Sequence, residues 1–114
     1  MEATLTKFFH FSASHADDAG IHGHNYRLGV TVDFPDAKSE AALEEKIYAV
    51  LIRKLELRDL GEDVDFLKIR PITELVLLKT FWGILEPAVA PLFLHSLSLE
   101  RNQKTRVVLS SEKS

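Results

Sequence analysis

From Thr4 to His15 the chain alternates. Leu5, Phe9, Phe11, Ala13 and His15 form one row; Thr4, Thr6, Phe8, His10, Ser12 and Ser14 form the other, which is mostly small or polar. A period of two predicts a half-buried strand. The linker ADDAGI supplies Asp17, Asp18 and Gly20, all turn formers. Alternation then resumes from His22 to Phe34. Tyr26, Leu28, Val30, Val32 and Phe34 oppose Gly23, Asn25, Arg27, Gly29, Thr31 and Asp33. A short antiparallel connection is the simplest pairing of these two strands.

Pro35 ends the second strand, and the period changes. Ser39 is placed to cap a helix with apolar positions Leu43, Ile47, Val50, Leu51 and Leu55. Residues 56–71 are charged and irregular, punctuated by Gly61 and Pro71. Thr73 is a second N-cap, with Glu74 favourably charged in the first turn. The run LVLLKTFWGILEP is apolar nearly all round and predicts a more deeply buried helix, closed by Pro87 and Pro91. Alternation returns with Phe93, Leu97 and Leu99 against Ser96, Ser98 and Glu100. RNQK turns the chain into a last strand, TRVVLSS. The order β-β-α-α-β-β predicts an α+β fold, with two helices on one face of an antiparallel four-stranded sheet.

Composition narrows the functional classes. The 114 residues have the length of one domain, 1–114, with 46% hydrophobic and 27% charged residues. The formal charge of −3 gives no basic footprint for nucleic acid. The absence of cysteine excludes disulfides, thiolate metal sites and cysteine nucleophiles within the chain. No apolar run reaches the length of a membrane span, so the expectation is a cytoplasmic protein.

The histidines carry the candidate chemistry. His22 and His24 stand two apart on a strand and therefore share a face. His15 lies at the far end of the first strand, on the row of Phe9 and Phe11. If the two strands form a hairpin, three imidazoles converge at one end of the sheet. Three neutral nitrogens with an open fourth position suit a catalytic Zn²⁺. Histidines two apart also occur as ordinary strand-end residues, so spacing alone leaves both readings open. His10, on the opposite row, and His95, on a distant strand, read as structural.

FSASH, residues 11–15, followed by HGHNY, residues 22–26, resembles the zinc motif of the 6-pyruvoyltetrahydropterin synthase family, which includes the 6-carboxytetrahydropterin synthases of queuosine biosynthesis. VDFPDAK at 32–38, ITEL at 72–75 and LSLERN at 97–102 resemble further family segments in the same order. The resemblance implies the tunnelling fold and a carbon–oxygen lyase acting on 7,8-dihydroneopterin triphosphate with loss of triphosphate. It implies His15, His22 and His24 as zinc ligands, Glu100 as the pterin anchor, and Thr73 and Glu74 in the same substrate pocket. It also implies a homo-hexamer, a dimer of trimers whose sheets close into barrels with pockets at subunit boundaries.

The catalytic groups depart from the family pattern. Where many members have cysteine, four residues before HGH, this chain has Asp18, a candidate carboxylate base. The usual aspartate–histidine pair is missing from KLELRDLGEDV, residues 54–64, where Glu56, Leu57, Leu60 and Gly61 stand instead. No histidine occurs between His24 and His95. Slow or altered lyase activity is therefore expected. The alternatives are a catalytically weak pterin- or purine-binding homologue and a structural oligomer with incidental histidines.

Overall fold

The computed structural model describes residues 2–17, 20–58, 60, 64 and 72–112, with side chains described for all of these except 15–17 and 20–22. Four antiparallel strands lie side by side in chain order: β1 Thr4–Asp17, β2 Gly20–Asp33, β3 Leu94–Arg101 and β4 Thr105–Ser110. Between β2 and β3 come α1 Ala37–Ile47, a π-helical turn Tyr48–Ile52, α2 Arg53–Leu55 and α3 Glu74–Val89. The α+β architecture expected from the alternation is the observed one.

One sheet face is apolar and carries the helices. Phe9, Phe11 and Ala13 of β1 are buried with Tyr26, Leu28, Val30 and Val32 of β2. Leu77, Leu78, Phe81 and Leu85 of α3 and Leu43 and Ile47 of α1 close over them. Phe11 stacks on Tyr26 at 5.0 Å between centroids and meets the Phe81 ring edge-on at 6.5 Å. Both geometries match the quadrupoles of aromatic rings.

Four local expectations are corrected. Asp36, not Ser39, caps the first helix: its carboxylate accepts from the Ser39 N–H at 2.7 Å, putting Ser39 inside the first turn. The first helix is interrupted by the π turn, whose extra residue lets both Leu51 and Ile52 face the core. Pro87 lies within α3 rather than ending it. It cannot donate to the carbonyl four residues back, and that residue, Gly83, faces solvent, where water can replace the missing bond. Finally, the register slips between Thr31 and Val32, which pair with Ser96 and Leu94. His95 is the extra residue, so Leu94 joins Leu97 and Leu99 in the core instead of Phe93.

No strand intervenes between β2 and α1, because Phe34 and Pro35 lead straight to the Asp36 cap. After α2 the chain runs along the outer edge of β1. Leu57 N–H donates to the Ser12 carbonyl at 2.6 Å, Ser14 N–H to Arg58 at 3.0 Å, and Leu60 N–H to Ser14 at 2.7 Å. These bonds satisfy part of an otherwise open strand edge.

Candidate functional site

β1 and β2 are 14 residues each, while β3 pairs with β2 only from Tyr26 to Val32. The far end of the β1–β2 hairpin therefore extends beyond the rest of the sheet. The register sets His15 directly opposite His22, and His24 opposite Ala13 two residue pairs inward. Alternation puts all three positions on the core-side row. Directly opposed residues have Cβ atoms about 4.5–5.5 Å apart, close enough for a common ligand. The donor set, three imidazoles without a carboxylate, suits Zn²⁺. Among the residues whose side chains are described, no group of three metal-ligating side chains converges. The side chains of His15 and His22 are not among them, and Asp18, the expected base, lies outside the described residues altogether.

The His24 ring meets Tyr26 edge-on at 5.7 Å, and its Nδ1 lies 3.1 Å from Asn102 Nδ2. Asn102 belongs to the β3–β4 turn and adopts a positive φ of 52°, which asparagine tolerates better than most residues. The Asn102 N–H donates to the Asn25 carbonyl at 2.7 Å, and the Asn25 N–H donates to Asn102 Oδ1 at 2.9 Å.

Thr73 caps α3 by accepting from the Val76 N–H at 3.2 Å. Glu74, in the first turn, pairs with Arg101 at 3.2 Å, Nη1 to Oε1. Arg101 is the cross-strand partner of Tyr26, so Glu74 belongs to the histidine side of the sheet. Burial pushes the Tyr26 hydroxyl up to about 12, with the Glu74 charge adding to the rise. That tyrosine stays protonated at neutral pH.

Glu100 is on the other face. It pairs with Arg27 across the strands and with Arg106 across the turn at 3.2 Å; Arg27 Nε donates to Oε2 at 2.6 Å. The Arg27 hydrogen bond holds the Glu100 carboxyl below the usual carboxylate range, and Arg106 adds to it. Arg27 also covers the Phe8 ring, with its guanidinium carbon 4.3 Å from the centroid. Glu100, Arg27, Asn25, Tyr26, His10 and Gln103 line a cleft of about 280 Å³. Within one chain the sheet thus separates Glu100 from Thr73, Glu74 and the histidine row.

His10, expected to be structural, borders that cleft. His95 bonds Asp33 at 2.7 Å and helps close the bulge. Sequence reasoning missed Arg27, Arg106, Arg101 and Asn102. Only the Glu100–Arg106 pair carried a sequence signal, since the two residues flank the turn symmetrically.

The fold is that of a solved tetrahydropterin synthase. A 6-pyruvoyl tetrahydropterin synthase from Caenorhabditis elegans superposes with a TM-score of 0.72 at 22% identity, with 96% of each chain covered. This likeness defines the tunnelling fold. A comparison with curated protein sequences gives no match. The family model for 6-pyruvoyl tetrahydropterin synthase matches residues 4–112, and the chain belongs to that family. Its function is, at that level, tetrahydropterin synthase-like, of the lyase type. Among the described residues no helix is long and apolar enough to cross a membrane.

Proposed function

We propose that this chain is a zinc-dependent lyase that eliminates triphosphate from 7,8-dihydroneopterin triphosphate. The observation that carries the reading is the register of the β1–β2 hairpin, which opposes His15 to His22 and sets His24 on the next rung of the same face. These three residues would hold Zn²⁺, which when bound supplies a Lewis acid for the substrate's side-chain oxygens. Asp18, in the connection between the strands, removes a proton from the side chain. Triphosphate then leaves with the electron pair of its carbon–oxygen bond. Thr73 and Glu74 border the substrate on the same side.

Glu100 anchors the pterin ring, because a carboxylate offers two acceptors to two adjacent N–H donors. Both arginines address Oε2, so Oε1 is the oxygen a ring donor meets first. Because Glu100 lies across the sheet from the histidine row, a pocket that uses both must draw them from different copies of the chain. That requirement supports the hexamer, a dimer of trimers, with each site at a subunit boundary. The domain spans residues 1–114.

One observation favours weak turnover. The segment after α2, where relatives are expected to carry an aspartate–histidine pair, has Glu56 and Leu57, then Leu60 and Gly61, and no histidine. Leucine moves no proton, and general acid–base groups typically contribute about 10²–10⁴-fold in rate. Slow release or pterin binding without turnover follows. The test is triphosphate release by the native protein, the metal-stripped protein and Asp18→Ala. Slow, zinc-dependent release that Asp18→Ala abolishes is expected. Release untouched by Asp18→Ala removes that residue as the base, and pterin binding with no release leaves the binding homologue.

A further inference from the structure

The Asn102 amide has only one satisfactory orientation. The Asn25 backbone N–H can only donate, so the side-chain atom 2.9 Å from it must be the carbonyl oxygen Oδ1. The amide NH₂ therefore faces His24, and Nδ2 donates to Nδ1 at 3.1 Å. An imidazole nitrogen that accepts a hydrogen bond carries no proton. In neutral His24 the proton consequently resides on Nε2.

A metal ligand needs a lone pair directed at the metal, and both ways of supplying it collide with this bond. If Nε2 binds metal, the proton must move to Nδ1, where it meets the Asn102 NH₂ donor to donor. If Nδ1 binds metal, the NH₂ must leave that nitrogen. Ligating histidines ordinarily present their second N–H to a carboxylate or carbonyl, which fixes the tautomer and strengthens the ligand. Asn102 presents the opposite polarity.

We propose that Asn102 is a positioning residue that locks His24 in its Nε2–H tautomer and so weakens metal binding at the hairpin end. The lock is firm because Asn102 is itself doubly tied to Asn25, through its backbone N–H and through Oδ1. Releasing His24 requires the amide to turn over, which would point NH₂ at the Asn25 N–H and exchange one clash for another. Metal occupancy is thereby linked to the seating of the β3–β4 turn on β2.

The proposal rests on the zinc reading for its consequence, but its tautomer half is measured without metal. Asn102→Asp keeps an acceptor for the Asn25 N–H and supplies a second acceptor for His24 Nδ1–H. It also tolerates the positive φ. Long-range nitrogen–proton NMR of the metal-free protein, at mildly alkaline pH where an ordinary imidazole is neutral, should show Nε2–H in native His24 and Nδ1–H in Asn102→Asp. Competition titration with a zinc chelator should then show about 10–100-fold tighter binding in the variant, the range for a partner of a ligating histidine. Nδ1–H in the native protein overturns the lock, and so does equal zinc affinity in the two proteins. Failure of both proteins to take up zinc overturns the metal reading, and the proposed effect on metal with it. If Asn102→Asp does not fold, the native tautomer alone decides the lock.

Discussion

Gly29 tests how tightly the polar face of the sheet is closed. It stands on β2 between Phe8 of β1 and Ser98 of β3. A Cβ at this position would meet Ser98 Oγ at 2.5 Å and Phe8 Cε1 at 3.2 Å. Ser98 must change rotamer, and Phe8 must yield while supporting the Arg27 guanidinium. Overpacking of this kind costs about 1–3 kcal/mol. Replacing glycine within a strand returns roughly 0.5–1 kcal/mol of backbone entropy. Gly29→Ala should therefore lose about 0.5–2 kcal/mol, or about 2–8 °C in Tm for a chain of this size. Urea unfolding at one fixed protein concentration measures it. Ser98→Ala removes the nearer atom, so the double variant should recover at least about 0.5 kcal/mol relative to additive losses. Native-like stability in Gly29→Ala, or strict additivity in the cycle, refutes the packing argument.

Zinc content per chain should collapse in His22→Ala/His24→Ala, and metal analysis after dialysis that finds it unchanged rules out the hairpin site. Glu100→Gln should weaken neopterin binding by about ten- to a hundredfold, the loss expected for a hydrogen bond to a charged acceptor; equal affinity by calorimetry returns Glu100 to a purely structural ion pair. Asp33, Asp36 and Glu100 are held below the usual carboxylate range by His95, the Ser39 backbone N–H and Arg27 respectively. Depressed carboxyls stabilise the fold above their unfolded pKa, and the contribution is lost as pH falls through the folded one. Tm should accordingly hold near neutrality and drop below about pH 4, less steeply in Asp36→Asn; an unchanged acid slope in that variant contradicts the assigned cap.

The sequence by itself determined the periods. Alternation placed His15 with Phe9 and Phe11, and set Glu100 against Leu97 and Leu99, because strand side chains alternate strictly between faces. Their separation by the sheet was legible before any coordinate. Thr73 was equally legible as a cap, since capping depends on atoms three residues apart. Tertiary structure decided what long-range contacts govern. The cap of α1 went to Asp36, three residues ahead of the expected Ser39, and α3 ran on through Pro87, four residues after the solvent-exposed Gly83. The bulge at His95 and the seating of Leu57, Arg58 and Leu60 on β1 depend on partners dozens of positions away. So do Arg27 on Glu100, 73 residues apart, and Asn102 on His24, 78 apart. A single chain's local pattern fixes which face a side chain takes; only the packed register fixes what it meets there.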